Sequence, residues 1–193
     1  LVGQSLGGVV AQVIASRHPE VVEGLVLSNT CSLAKDMGDE AYSHLKKMME
    51  SQKKSKKLLS VLPFSLFKRM MKWAVMKKKT DGFTRREKAI MEELCGAMLE
   101  LLTKPYEYHM IDFLCDAENY FGMTEQDFAR WDDKVLLILS EDDITFNQAC
   151  KDALIAIMPN PTVVTNLTGG HLALMVRLER YAELVTEYIR ERI

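Results

Sequence analysis

The strongest indication of the fold is the stretch Leu1-Val2-Gly3-Gln4-Ser5-Leu6-Gly7-Gly8. Its first residues are apolar and predict the end of a buried strand, and its glycines predict a tight turn. A helix should follow at once, because apolar residues then recur at the i, i+3, i+4, i+7 and i+8 positions of one broad face. Those residues are Leu6, Val9, Val10, Val13 and Ile14. A strand that turns directly into a helix indicates an α/β unit.

The same stretch contains Gly3-Gln4-Ser5-Leu6-Gly7, which fits the pattern G-x-S-x-G. In that pattern the serine lies in a strained turn between strand and helix, so that its hydroxyl projects into a cleft. The flanking positions, Gly3 and Gly7, should be small because the helix crosses close to the strand. The backbone N–H of Leu6, at the helix N-terminus, could stabilise an oxyanion. The alternative is a glycine-rich turn with no chemistry.

A serine hydroxyl is a weak nucleophile, so it needs a base, and the base needs an orienting acid. The segment Ser140-Glu141-Asp142-Asp143 directly follows the apolar run 135–139, where open parallel sheets place functional groups. His171 follows the strand predicted at 162–165, in a glycine-rich turn. The order serine, acid, histidine agrees with a serine triad on an α/β sheet. The alternative for His171 is a surface turn histidine.

Three segments are predicted along the chain. Residues 1–33 and 132–193 show α/β patterns, the first carrying the serine turn and a following strand, the second carrying the acid and His171. Residues 34–131 show only helical periodicity, and Gly82 and Pro105 punctuate them. The helices predicted within this insertion lie near 39–57, 62–78, 84–103 and 106–120.

Charge is segregated inside the helical insertion. Residues 44–90 carry 15 Lys and Arg against 3 Asp and Glu, whereas residues 91–133 carry 2 against 11. The favoured interpretation is that helices of complementary charge face each other. The basic half could instead meet an anionic membrane surface, a partner or an acidic substrate. The lysines behind these alternatives are Lys46, Lys47, Lys53, Lys54, Lys56 and Lys57.

Composition narrows the class of protein. The chain has 193 residues, 48% of them hydrophobic, and a net charge of -2, which excludes a disordered chain and does not suggest nucleic-acid binding. The 4 cysteines form no C-x-x-C pair, so neither a zinc ribbon nor a disulfide framework is indicated. With no secretory signal pattern, we expect a cytoplasmic protein, with membrane association as the disfavoured alternative. The sequence leaves the oligomeric state open.

The chain resembles the α/β-hydrolase fold family, which includes esterases, lipases, aminopeptidases and C–C hydrolases. The resemblance rests on Leu1 to Gly8, on Ser140-Glu141-Asp142-Asp143 and on Gly169-Gly170-His171. It implies the C-terminal part of that α/β fold, a parallel sheet with flanking helices and an all-helical cap inserted between the family's sixth and seventh strands. The cap corresponds to the insertion 34–131.

The resemblance also implies roles. Ser5 would be the nucleophile, His171 the general base and Leu6 the backbone oxyanion donor. The family's acid usually lies three residues after a glycine; Ser140 stands at that position here, which points to Asp143, with Asp142 as the alternative. The implied activity is a serine hydrolase acting through an acyl-enzyme on an ester, thioester, amide or similar carbonyl substrate. We expect that substrate to be a small apolar molecule. No cofactor or metal is implied.

Two other functions remain open, an acyltransferase with the same triad and a non-catalytic binding or scaffold protein. The sequence begins at Leu1 within an apolar run, so we also expect an N-terminally truncated chain. The family's second oxyanion donor comes from a loop ahead of the nucleophile, and losing one such donor costs roughly 10²–10³ in rate. We therefore expect little or no activity from these 193 residues alone.

Overall fold

The computed structural model describes residues 1–78 and 83–193. A four-stranded parallel sheet carries the serine turn, the acid segment and His171, with the strands adjacent in chain order. Its strands are β1 (Val2–Gln4), β2 (Leu25–Ser28), β3 (Val135–Ile138) and β4 (Thr162–Val164). Because all four run parallel, the segments that follow them leave the same edge of the sheet.

The register confirms the α/β prediction from the apolar runs. Gly3 pairs with Leu27, Leu27 pairs with Leu137, and Leu137 pairs with Val163. Every residue of β2 and β3 is buried, which explains why these strands read as continuous apolar runs. The helices are α1 (Leu6–Arg17), α2 (Asp39–Val61), α3 (Phe64–Lys78), α4 (Arg85–Leu101), α5 (Lys104–Asp116), α6 (Glu125–Phe128), α7 (Gln148–Ile157), α8 (Ala173–Val176) and α9 (Leu178–Arg192).

The buried face of α1 differs from the predicted one. Of the five predicted residues only Val9 is buried, and Val10 is exposed. The helix instead turns small residues and Gln12 inward, because it passes close to the chain that follows β2. A Cβ on Gly8 would lie 2.6 Å from the Cβ of Thr30, and the Gln12 side-chain amide donates to the Cys31 carbonyl at 2.8 Å. Helical periodicity identified the helix but not its buried face.

The chain divides into two compact units. The first comprises Leu1–Leu45 and Ala117–Ile193 and contains the whole sheet; the second is Lys46–Asp116. The predicted insertion 34–131 therefore contains the second unit, while its two ends belong to the first. Within the first unit, β2, β3 and α9 share a buried cluster that includes Val26, Leu136 and Tyr181.

The described residues of the second unit form helices joined by short connections, and none of them lies in a strand. Its core contains Leu59, Phe67 and Ile111, which come from α2, α3 and α5. Thr84 and Glu87 form the capping box that begins α4, as the T-x-x-E spacing predicts. Gly82 lies outside the described residues. None of the helices in the described part of the chain combines the length and apolar character needed to cross a membrane.

Candidate active site

Ser5 lies in the sharp turn between β1 and α1. Its φ of 52° and ψ of -120° are strained for a residue with a side chain, the condition that G-x-S-x-G turns impose on their serine. Two contacts hold the turn. The Ser5 N–H donates to the Ser28 carbonyl at 2.9 Å, and the Thr30 hydroxyl donates to the Ser5 carbonyl at 2.6 Å. The strain is therefore fixed by β2 and the chain that follows it.

Only one of the two motif glycines is crowded. A Cβ on Gly3 would lie 2.4 Å from the Gly7 carbonyl oxygen, so β1 and α1 cross too closely for any side chain there. Gly7 itself has open space around its Cβ position. The structure therefore requires a small residue at Gly3, whereas the space around Gly7 would admit a side chain. The crowded glycine of α1 is Gly8, which faces Thr30.

His171 reaches Ser5 from the loop after β4. Its Nε2 lies 2.9 Å from the Ser5 Oγ. The preceding residues Gly169 and Gly170 have φ values of 134° and 58°, which are available to glycine and rare for other residues. The Gln4 side-chain amide donates to the His171 carbonyl at 2.7 Å, so the residue next to Ser5 also holds the histidine backbone.

Asp143 contacts the other ring nitrogen of the imidazole. Its Oδ2 lies 3.0 Å from His171 Nδ1, and its carboxylate is buried. Asp142 points elsewhere, since its carboxylate accepts from the Gly169 N–H at 2.9 Å. The structure therefore brings Ser5, His171 and Asp143 into one hydrogen-bonded chain, and Asp142 supports the histidine loop instead.

The second oxygen of Asp143 is held within its own turn. The Thr145 N–H donates to Asp143 Oδ1 at 2.7 Å, and the Thr145 carbonyl lies 2.8 Å from His44 Nε2. The Phe146 ring meets the His171 ring edge-on, with centroids 5.5 Å apart. These contacts leave Asp143 and the imidazole little freedom to rotate.

Asn29, the residue directly after β2, is a part of the site that sequence reasoning missed. Its side-chain oxygen accepts from the Ser140 N–H at 2.8 Å, and its amide nitrogen donates to Ser140 Oγ at 3.1 Å and to the Gly170 carbonyl at 2.9 Å. One buried amide thus joins the acid segment to the histidine loop. Its position could have indicated this role, because Asn29 is a polar residue at the carboxyl end of an apolar strand.

Ser140, which occupies the position of the family's glycine, is part of this arrangement. It is buried, and its carbonyl accepts from the buried Lys151 ammonium at 2.6 Å. The Lys151 ammonium also donates to the Glu141 carbonyl at 3.3 Å. A buried ammonium needs such partners because desolvation of an unpaired charge is costly. The acid segment is therefore held from both sides, by Asn29 and by Lys151.

Leu6, the expected oxyanion donor, is the first residue of α1. The first N–H groups of a helix have no acceptor within it and lie at its positive end, which favours an oxyanion. Among residues 1–78 and 83–193, no group of three or more His, Cys, Asp or Glu side chains is placed to hold a metal ion.

Comparisons with known proteins identify the fold. No protein-family model matches the sequence, and no curated protein matches it. Among solved structures, the chain is similar to Rv0554 of Mycobacterium tuberculosis, with a TM-score of 0.66 and 18% identity over 100% of this chain and 65% of that one. It is also similar to a thermophilic esterase of Thermogutta terrifontis, with a TM-score of 0.63 and 18% identity over 99% of this chain and 64% of the esterase.

A third similar structure is an α/β hydrolase, MGS-M2, from a deep-sea metagenome of the Medee basin. Its TM-score is 0.59, with 18% identity over 97% of this chain and 63% of that one. The chain spans about two thirds of the length of these structures. At this identity the likeness establishes the fold, and the chain has the α/β-hydrolase fold with its sheet only in part.

Proposed function

We propose that the protein is a serine hydrolase acting through an acyl-enzyme, with Ser5 as nucleophile, His171 as general base and Asp143 as the orienting acid. The observation that carries this proposal is the hydrogen-bonded chain from Ser5 Oγ through both imidazole nitrogens to Asp143, at 2.9 and 3.0 Å. A structural role would not need a strained serine facing an imidazole whose other nitrogen meets a buried carboxylate.

The first half of the proposed reaction forms an ester on Ser5. His171 Nε2 takes the hydroxyl proton while Oγ attacks the substrate carbonyl carbon. The carbonyl oxygen becomes an oxyanion that the Leu6 N–H can stabilise at the helix N-terminus. Asp143 accepts from Nδ1–H and stabilises the imidazolium. The tetrahedral intermediate then collapses, the bond to the leaving group breaks, and His171 returns the proton to that group.

The second half releases the acid. Water attacks the acyl carbon while His171 Nε2 takes its proton, and the proton passes back to Ser5 Oγ as the ester bond breaks. The similarity to the Thermogutta terrifontis esterase supports an ester as the substrate. We therefore place small apolar carbonyl compounds, esters first, at the head of the substrate search.

The test is turnover of short-chain p-nitrophenyl esters. It should use the 193-residue chain and the same chain with any residues that are encoded before Leu1. We expect weak turnover by the 193 residues, gains of roughly 10²–10³ if added residues supply a second oxyanion donor, and loss in Ser5→Ala in either case. Turnover that survives Ser5→Ala would contradict the proposal.

The same assay separates the two other functions. Added alcohols or thiols that divert the acyl group into a new ester or thioester would identify an acyltransferase. A folded chain that neither hydrolyses esters nor transfers acyl groups, in both lengths, would favour a non-catalytic binding protein on this fold.

A further inference from the structure

The exposed face of α3 carries large apolar side chains. Leu66, Met70 and Trp73 are 41%, 42% and 60% exposed and recur at i, i+4 and i+7, so they share one face. The opposite face of α3 is in the core of the second unit, where Phe67 packs against Leu59 and Ile111. The helix is therefore apolar on both sides, and packing within the unit accounts for only one of them.

Basic residues share this exposed face. Arg69 and Lys77 lie beside the apolar side chains on α3, and the Lys77 ammonium is 4.8 Å from the centroid of the Trp73 ring. No acidic residue occurs on α3. Residues 44–78 carry eleven Lys and Arg against one acidic residue, Glu50. The apolar side chains therefore project from a surface that is strongly positive.

Complementary helix charges account for part of the basic pattern. Lys56 of α2 contacts Asp112 of α5, and Lys72 of α3 lies 3.4 Å from Glu92 of α4. These ion pairs support the interpretation that the sequence favoured. Other basic side chains of the second unit are exposed, namely Lys47, Lys53, Lys54, Lys57 and Arg69. The ion pairs account for the basic residues of α2 and α3 that face α5 and α4. They do not account for the exposed Lys and Arg side chains.

We propose that the exposed face of α3 (Leu66, Arg69, Met70, Trp73 and Lys77), together with the exposed lysines of α2, binds an anionic phospholipid membrane. A helix with cations beside exposed Leu, Met and Trp is typical of helices that lie in the lipid interface. Cations are attracted to anionic headgroups, apolar side chains enter the acyl boundary, and Trp favours the headgroup depth.

A membrane fits this surface better than a nucleic acid does. Phosphate backbones would use the lysines and arginines, and a base could stack on Trp73. Exposed Leu66 and Met70 would not strengthen the binding of a nucleic acid, because aliphatic side chains make no favourable contact with phosphates or sugars. Contact of these side chains with acyl chains lowers the free energy of binding in proportion to the apolar area that is removed from water. The apolar side chains therefore decide between the two anionic partners.

Tryptophan fluorescence can test the proposal directly, since the chain has 2 tryptophans and the other, Trp131, is 1% exposed. Vesicles of phosphatidylcholine mixed with phosphatidylserine should shift the emission to shorter wavelength and protect Trp73 from acrylamide. Vesicles of phosphatidylcholine alone should not, and high salt should reverse the effect. No shift and no co-sedimentation with the anionic vesicles at low salt would overturn the proposal, whatever the variants do.

Paired variants separate the two contributions. Removing a basic residue near a membrane costs about 1 kcal/mol, or about fivefold in affinity, so Arg69→Glu with Lys77→Glu should weaken co-sedimentation by at least about 25-fold. Leu66→Ser with Met70→Ser should weaken it and abolish the fluorescence shift. The matched controls are pairs of exposed residues in the first unit, Lys35→Glu with Arg130→Glu for charge and Ile144→Ser with Leu178→Ser for apolar area.

The controls should bind as the unaltered chain does. Equal loss in the controls and in the α3 variants would show that net charge alone drives binding, which would overturn an assignment to this face. Binding of a single-stranded polynucleotide in preference to anionic vesicles, lost with Trp73→Ala, would assign the surface to nucleic acid instead.

Discussion

The two units of the molecule depend on their sequences in different ways, the first on individual side chains and the second on a repeating apolar pattern. In the first unit, segments after all four strands hold the site through individual atoms, such as the Asn29 amide that joins Ser140 to Gly170. In the second unit, a repeating apolar pattern builds the helices, and ion pairs such as Lys72–Glu92 lie at the surface. A candidate site therefore depends on particular residues at particular positions, whereas a helical unit tolerates many sequences with the same pattern.

The two neighbouring carboxylates give the largest predicted difference. Asp143→Asn should lower kcat/KM by about 10⁴, because an amide at that position favours the wrong imidazole tautomer. Asp142→Asn should change it little, since its side-chain oxygen can still accept from the Gly169 N–H. The measurement is ester turnover at saturating and limiting substrate. Equal losses in the two variants would remove Asp143 from its assigned role.

Asn29 should show the next largest effect. Asn29→Ala releases the acid segment and the histidine loop from each other, and a displacement of about 1 Å can cost up to about 100-fold in kcat. The matched control is Asn160→Ala, because Asn160 has the same φ of 38° but lies exposed, where its amide donates to Asp132. Both variants lose the same preference for left-handed backbone, and only the first loses contacts at the site.

The readout for Asn29 should include the pH profile. A positioning role predicts that kcat falls and that the apparent pKa of the base moves, while KM for a small ester changes little. Asn29→Asp should recover part of the activity, because it can still accept from the Ser140 N–H. A kcat unchanged in folded Asn29→Ala would show that the two loops hold their places without this amide.

The candidate triad could be predicted from the sequence because each member follows a strand end that periodicity identifies. Ser5, Asp143 and His171 lie near one another as the order of strands implies. The choice of Asp143 over Asp142 came only from a resemblance. Sequence spacing cannot say which of two adjacent carboxylates faces the imidazole, since neighbouring side chains point in different directions.

The buried face of α1 and the role of Asn29 could not be predicted. Apolar periodicity assigns burial by residue type, yet α1 turns Gln12 inward because carbonyls of the following chain need donors. Gly7 and Gly8 look alike in sequence, and only the crossing of α1 over Thr30 shows that Gly8 is crowded. In the second unit, the pattern predicted helices well, with α5 ending at Asp116 rather than 120.

Glycine substitutions should have opposite effects in the two units. Gly3→Ala forces a Cβ against the Gly7 carbonyl at 2.4 Å, and such overpacking costs about 1–3 kcal/mol of unfolding free energy. Gly96→Ala, inside α4, meets open space and should add about 0.5–1 kcal/mol, because alanine favours the helix. Urea unfolding measures both. Stabilisation by Gly3→Ala would contradict the close crossing of β1 and α1.

The thiols should give the smallest difference between the units. Burial raises the pKa of Cys31 to about 12 and that of Cys150 to about 11, so both are protonated and unreactive in the folded first unit. Cys95 and Cys115 of the second unit are partly exposed, with pKa values raised chiefly by desolvation. Iodoacetamide should therefore modify Cys95 and Cys115 before Cys31 and Cys150, as read by peptide mass spectrometry.

The raised pKa of Cys31 makes the free energy of unfolding depend on pH. An unfolded Cys31 thiol ionises near its ordinary pKa of 9.0, while the folded one stays protonated up to about 12. Its contribution is therefore complete below pH 9.0 and is lost as pH rises towards 12, by at most about 1.4 kcal/mol per pH unit. The alkaline decline in unfolding free energy should be shallower in Cys31→Ala. An identical decline would show that this thiol titrates alike in both states.

The intact mass after treatment with a fluorophosphonate, a reagent for activated serines, tests the proposed nucleophile directly. It should be run on the 193-residue chain, on the chain with any residues encoded before Leu1, and on the Ser5→Ala and His171→Ala variants. We predict a single adduct that both variants lose. The absence of an adduct on the folded chain at both lengths, or an adduct that persists in Ser5→Ala, would contradict a nucleophilic Ser5 activated by His171.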